Sequence, residues 1–311
     1  MEKREIDVII PTFCPDKGLI ALLEGLKKQT LLPGRIIIIN TLSEKSRFFF
    51  EENSLQERFD NLELYHILPE EFDHGGTRDL GVSYSKAPFF LCMTQDAIPK
   101  DNRLLEELFQ CFRNPEIAVA YGRQVARKGA HVLEKYTREF NYPKVSTIKS
   151  KADLESLGIK TYFCSNVCAM YRRSIYESLG GFIKKTIFNE DMIYAAAAIE
   201  AGFKIQYQAT ARVIHSHHYT GADQLVRNFD LGVSQADHPE VFSHIPSEKE
   251  GKRLVKGALE YLKHENKRRL IPLFFYQCGC KYVGYRLGKG YKRLPRALVK
   301  RLSMNPNYWK E

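Results

Sequence analysis

Four short stretches carry side chains whose types and spacing suit chemistry on a phosphorylated ligand. Thr94-Gln95-Asp96 sets an acid directly after an apolar run. A carboxylate there can hold a divalent cation that bridges two phosphates, or it can simply cap the next helix. In Phe72-Asp73-His74-Gly75-Gly76-Thr77-Arg78, two glycines allow close backbone approach at a helix start. Free N–H groups at Gly75 and Gly76 would meet an anion, and Arg78 could fork onto a phosphate; alternatively Arg78 pairs with an acid. Glu190-Asp191 opens another helix, where a carboxylate on a pocket wall can take a proton from a hydroxyl or merely complement the helix dipole. His215-Ser216-His217-His218 ends an apolar run, and alternation sets His215 and His217 on one side. Histidines so placed can complete a metal site or touch diphosphate, with His215 the better ligand.

These stretches need elements to position them. Ile6 to Pro11 reads as a buried strand, followed by a helix with Leu19, Leu22, Leu23 and Leu26 on one face. Further strands are expected at Arg35 to Asn40, Leu62 to Ile67, Pro88 to Thr94 and Ile117 to Tyr121, alternating with helices after Gly75 and Asn102. Residues 123–160 read as polar and irregular, and Thr161 to Tyr171 as extended. Helices follow at Arg172 to Leu179, Glu190 to Ala201 and from Ala222, with two short strands at Ile205 to Tyr207 and Ala211 to Ile214. This alternation predicts an α/β fold with a mostly parallel sheet and helices on both faces. Open sheets of that kind bind ligands at the carboxyl ends of their strands, where all four stretches fall.

The 311 residues suffice for one large α/β domain with an extension, and 44% hydrophobic content excludes global disorder. The net charge of +10 is segregated: Gly251 to Glu311 carries 16 Lys or Arg against three acids, leaving the remainder at −3. We therefore expect a body over residues 1–244 and a basic, aromatic-rich helical extension over 245–311. In the extension, Leu270 to Tyr276 and Tyr282, Tyr285 and Tyr291 interleave with lysines and arginines, which suits docking on anionic lipid. A cap on the body or a homodimer contact is the alternative. No nucleic-acid-binding motif accompanies the charge, so nucleic acid is not an expected partner. Seven scattered cysteines without a CxxC pair fit a reducing compartment. No secretory signal or run of ~20 apolar residues is visible. The expected location is cytoplasmic, peripheral on the inner face of the cell membrane. A nucleotidyltransferase would want a Gly-rich, Arg/Lys-bearing loop after the first strand, and PTFCPDKG lacks one.

Taken in order, IDVIIPTF, IIIIN, GGTRDLGV, TQDA, FCSNVCAMYRRSIYESLGGF, NEDMIYAAAAIEAGFKI and ARVIHSHHY resemble glycosyltransferase family 2, from Ile6 to Ser234. FDHGGTR followed by TQDA further resembles the bacterial rhamnosyltransferase branch. The resemblance implies a GT-A (Rossmann-like) fold and an inverting transfer from a nucleoside-diphosphate sugar. The implied donor is dTDP-β-L-rhamnose, or a UDP-sugar in a hexosyl- or N-acetylhexosaminyltransferase of the same fold. The implied acceptor is a glycan or lipid-linked glycan of the bacterial cell surface, and the implied cofactor Mg²⁺ or Mn²⁺. It further implies that Pro11, Thr12, Asn40, Gly75, Gly76, Arg78, Gln95 and Asp96 face the donor. Asp96 and His215 would hold metal and Asp191 would be the base, with Asn166, Glu190 and His217 on the acceptor side or behind them. Two departures stand out: Asn40-Thr41-Leu42-Ser43 replaces an acidic stretch, and Thr94 replaces the first acid of Asp-x-Asp.

Overall fold

A computed structural model describes residues 5–243 and 248–310. Among these described residues, nine strands form one sheet: β1 (Ile6–Phe13), β2 (Ile36–Thr41), β3 (Leu62–Ile67), β4 (Phe89–Met93), β5 (Ile98–Pro99), β6 (Ile117–Val125), β7 (Thr147–Lys149), β8 (Cys168–Arg172) and β9 (Lys204–Ile214). Their order is β3-β2-β1-β4-β8-β6-β9-β5, with β7 also on β9. The β3-β2-β1-β4 half is parallel, as expected. Beyond it the sheet is mixed, because β8 enters antiparallel to both β4 and β6. Two reversals restore direction, so β6 and its parallel neighbour β9 run the same way as β1 and β4. The carboxyl ends of β1, β2, β4, β6 and β9 therefore share one edge.

The apolar runs Val8–Ile10 of β1 and Ile36–Ile39 of β2 reflect burial on both faces. One face packs on Leu19, Leu22, Leu23 and Leu26 of the Lys17–Lys27 helix, which Asp16 caps by accepting from the Gly18 N–H at 2.8 Å. On the other face Ile9 joins the cluster of Tyr171, Tyr176 and the Ala-rich Glu190–Glu200 helix, while Ile37 and Ile39 pack with Leu80 and Tyr84 of the His74–Tyr84 helix. Asp7, the polar interruption of β1, is buried and satisfied by Arg35 at 3.1 Å and the Ser85 hydroxyl at 2.8 Å.

Three local expectations need correction. Residues 123–160 contain a helix, Val132–Asn141, whose Leu133 and Tyr136 face Ala258, Leu262 and Phe274 of the extension. Of 161–171, only Cys168–Arg172 is strand, preceded by a 3₁₀ segment at Gly158–Tyr162. The two short strands after Gly202 are one, β9, in which the pairing with β6 slips between Gly122 and Arg123. An extra stretch of β9 bulges there, and the small, polar Gln208-Ala209-Thr210 at that point interrupts the large apolar residues although every second residue stays buried.

The expected junction at 244–245 lies outside the described residues. Beyond it, the Glu248–His264 helix contributes to the cluster on Val132–Asn141. The Ile271–Lys289 helix lies along the Gly221–Asp237 helix. A Cβ on Gly284 or Gly288 would stand 2.1 or 2.0 Å from the backbone oxygens of Leu225 and Phe229, so these glycines are what lets the two backbones touch. The contacts advance in the same direction on both chains, so the helices run parallel. The extension thus builds against the body on one face and keeps another for solvent. Among the described residues, no helix is long and apolar enough to cross a membrane.

Candidate active site

The shared edge opens into a cavity of about 1010 Å³, lined among others by Phe13, Asp96, Asp191, His215, Arg227 and Lys281. That volume lies at the upper end of ligand pockets.

Asp96 follows β4, and His215 and His217 follow β9. The Asp96 carboxylate lies 3.5 Å from His215 Nε2 and 3.3 Å from His217 Nε2, and the two Nε2 atoms are 2.7 Å apart. All three ligand atoms fall within 4.8 Å of one another. Gln124, at the end of β6, decides the tautomer. Its Oε1 accepts from the Arg138 guanidinium, so the same oxygen must accept from His215 Nδ1–H at 2.8 Å. That leaves a lone pair on His215 Nε2. Burial keeps this imidazole neutral, well below its ordinary pKa, and the charge of Arg138 acts in the same direction. Tyr219 stacks on His217 at 5.0 Å and fixes its ring. Thr94 Oγ1, on the cavity wall, is buried without a hydrogen-bond partner. An oriented neutral imidazole, a second one and a carboxylate suit a divalent cation with positions open to ligand oxygens.

The second constellation surrounds Asp191. Asn189 adopts left-handed φ 65° before the Glu190–Glu200 helix and aims both acids inward. Asp191 accepts from the Asn166 backbone N–H at 2.9 Å and from the Met192 N–H at 2.8 Å. The Asn166 amide donates to Glu190 at 3.0 Å, and the Tyr171 hydroxyl donates to Asn166 Oδ1 at 2.6 Å. Glu190 meets Arg78 at 3.1 Å, both side chains being almost fully buried. Burial, reinforced by the Glu190 charge, pushes the Asp191 carboxyl up to about 7. The opposing backbone N–H groups and Arg78 do not offset it. A carboxylate at that value is matched to proton transfer near neutrality.

Several expected donor contacts lie elsewhere. Gly75 and Gly76 do not present free N–H groups, because Asp73 Oδ1 accepts from both at 2.9 Å. Gly75 is glycine for a structural reason: a Cβ would fall 1.8 Å from the Ile183 oxygen. Arg78 lines the cavity, with its guanidinium held by Glu190 and by the His74 carbonyl at 2.8 Å. Thr12 and Asn40 are buried against each other at 3.0 Å, with Asn40 also bonded to Ser46 and His66. Strand alternation puts the next residues, Phe13 and Thr41, on the cavity wall instead. Gln95 brackets the Phe13 backbone, accepting its N–H at 2.9 Å and donating to its oxygen at 3.1 Å. Pro11 belongs to β1, one residue before Thr12. Asp96, Asn166, Glu190, Asp191, His215 and His217 do converge on the cavity. Missed from sequence were Gln124, Arg138, Arg227 and Lys281. Leu133, Tyr136 and Phe140 at helical spacing could have revealed the element that carries Arg138.

The Glycosyl transferase family 2 model matches residues 7–180. Among curated proteins, the chain is 39% identical to the O-antigen chain rhamnosyltransferase RfbN of Salmonella typhimurium, over 98% of this chain and 96% of that one. It is likewise 39% identical to the O-antigen chain rhamnosyltransferase WbaN of Salmonella anatum, over 91% of this chain and 88% of its relative.

The chain belongs to glycosyltransferase family 2.

Two solved structures share its fold. The mannosyltransferase PcManGT from Pyrobaculum calidifontis, in complex with GDP-Man and Mn²⁺, superposes with a TM-score of 0.57 at 12% identity, covering 99% of this chain and 86% of the other. The S. aureus TarS 1-349 complex with UDP-GlcNAc gives 0.54 at 14% identity, covering 93% and 91%. The fold of this glycosyltransferase is accordingly GT-A.

One consequence of the Gln124 relay can be measured directly. Gln124→Leu removes the acceptor that fixes the His215 tautomer while keeping its volume. Mn²⁺ affinity should fall about 10–100-fold, as for other supporting contacts of metal ligands. Mn²⁺ titration followed by electron paramagnetic resonance checks this; unchanged affinity would remove Gln124 from the site.

Proposed function

We propose that the protein transfers L-rhamnose from dTDP-β-L-rhamnose to a hydroxyl of a lipid-linked cell-surface glycan, with inversion at the anomeric carbon. The observation that carries the chemistry is the placement of Asp191 and the Asp96/His215/His217 cluster on one cavity. The choice of rhamnose and of a surface glycan is supported by the names of two relatives, each 39% identical over most of the chain.

Asp191, ionised, accepts the proton of the acceptor hydroxyl. The hydroxyl oxygen bonds to the anomeric carbon as the bond from that carbon to the diphosphate breaks, and the electron pair leaves with the diphosphate. A divalent cation held by Asp96, His215 and His217 would offset charge on the diphosphate oxygens. Of Mg²⁺ and Mn²⁺, two imidazoles favour Mn²⁺, because Mg²⁺ prefers an oxygen shell. Arg78 acts through Glu190, setting the field at Asp191 rather than touching the donor.

The extension would seat the enzyme on the inner leaflet. Phe275, Tyr276, Tyr282 and Val283 are exposed on one face of the Ile271–Lys289 helix, with Arg286 among them. Such a face suits the boundary of an anionic bilayer. The protein should cosediment with phosphatidylglycerol vesicles and not with phosphatidylcholine vesicles; equal sedimentation with both would remove this role.

The reaction is tested with a donor panel. dTDP-β-L-rhamnose and a set of UDP-sugars are supplied with lipid-linked acceptors and Mn²⁺, Mg²⁺ or chelator, and released nucleotide is followed. Metal-dependent release from dTDP-rhamnose, reduced at least about 10²-fold in Asp96→Ala, and an α-linked product by NMR are the expected results. Release from a UDP-sugar alone would discard the rhamnose assignment, and a β-linked product would discard inversion.

A further inference from the structure

We propose that Lys149 is a positioning residue for the base: its amine, outside the cavity, holds the segment that brings the Asn166 N–H to Asp191. This role rests on Asp191 being the base, as proposed above.

Lys149 ends β7, an edge strand that pairs with β9. A lysine on an edge strand ordinarily keeps its ammonium in water. Here Thr147 and Ile148 are exposed, while Lys149 is only 3% exposed. Among the described residues no carboxylate stands within ion-pair distance of it. Its three N–H groups meet three oxygens instead: the Tyr121 hydroxyl at 3.2 Å, the Lys160 carbonyl at 3.0 Å and the Phe163 carbonyl. The Tyr121 and Phe163 rings flank the charge, with centroids 5.0 and 5.9 Å away. Burial pulls the ammonium down to about 7. A neutral amine still carries two N–H groups, enough for the two carbonyls, so the clamp holds in either state. A methionine of similar length would fill this space without burying a charge, but it has nothing to donate.

The two carbonyls belong to the joint between the halves of the site. The Phe163 N–H closes onto the Lys160 oxygen at 3.1 Å, so the amine grips both ends of one turn. Gly158–Tyr162 is a 3₁₀ segment, and residues 163–165 belong to no helix or strand. Phe163, Cys164, Ser165 and Asn166 line the cavity. Ser165 Oγ accepts at 3.0 Å from Gln124, whose amide oxygen orients His215. One residue on, the Asn166 N–H donates to Asp191 at 2.9 Å and the Asn166 side chain to Glu190 at 3.0 Å. Residues 163–165 have no ladder to fix them, so the place of the Asn166 N–H depends on where Phe163 is anchored. The amine is that anchor. A backbone N–H favours the ionised carboxylate, and losing it raises the pH at which Asp191 ionises. Glu190 and Arg78, the other charges that act on Asp191, are untouched by a change at Lys149.

The test reads Asp191 itself and needs no sugar donor. The full chain, carrying aspartate labelled with ¹³C at the carboxyl, is titrated by NMR. The Asp191 signal is the one missing from Asp191→Asn. Its midpoint in wild type should lie near the value of about 7. In Lys149→Met, which loses every donor, the midpoint should rise by at least about half a pH unit. In Lys149→Gln, which loses the charge but keeps two N–H groups, it should stay within about 0.2 of a pH unit of wild type. A midpoint in Lys149→Met that stays or falls, or an equal rise in both variants, would overturn the proposal. So would a Lys149→Met that does not fold, because the role would then be structural alone. The assignment of the base fails separately: transfer that survives in Asp191→Asn would discard Asp191 as base, whatever the titration shows.

Discussion

The buried ion pair between Arg78 and Glu190 is the constraint on which the chemistry of this enzyme rests. Two adjacent carboxylates at the start of one helix, taken out of water, cannot both stay ionised without a partner. Arg78 pairs with Glu190 at 3.1 Å, and Asn166 divides itself between the two acids, its amide on Glu190 and its backbone N–H on Asp191. Asp191 is left with the full cost of burial beside a negative neighbour, and its carboxyl rises to about 7. The cost falls on stability with a definite sign. An acid whose folded value is raised is favoured protonated, so its contribution is lost as pH rises from the ordinary carboxyl range through about 7. The proposed base is thus poised near neutrality at the expense of the fold there.

The sheet supplies the other half of the site by direction alone. Because β8 reverses twice between β4 and β6, the carboxyl ends of β4, β6 and β9 meet on one edge, and Asp96, Gln124 and His215 come from three strands. No segment holds more than part of the proposed metal site. The Val132–Asn141 helix adds Arg138, and it is held in turn by the extension, where the Tyr136 hydroxyl donates to the Leu254 oxygen at 2.7 Å. The basic tail therefore supports the helix that carries Arg138 to the cavity, as well as presenting a surface.

Much of this was legible in the residues. The isoleucine runs of β1 and β2 and the leucines of the first helix could only be buried, and they are. Asp96, His215 and Asp191 stood out because strand and helix ends announce themselves through the change from apolar to polar, and all three line one cavity. What was not legible depended on long-range partners. The Val132–Asn141 helix buries its apolar face on residues more than 100 positions away, so its own neighbourhood looks polar. Asn40 and Gly75 have the residue types of ligand contacts, but tertiary packing assigns them to Thr12 and to the Ile183 oxygen. Lys281 resembled every other lysine of the tail until Gly284 and Gly288 fixed which side of its helix faces the cavity.

Glu190, beside Asp191 in a buried site, raises its carboxyl, and the pH dependence of kcat/KM tests whether that ionisation governs transfer. Wild-type activity should rise with pH along a limb near the value of about 7 at Asp191. In Glu190→Gln the negative neighbour is gone while Arg78 remains, so Asp191 should ionise at lower pH and the limb should move down. A limb that stays in place, or moves up, would mean that Asp191 is not the group whose ionisation governs transfer.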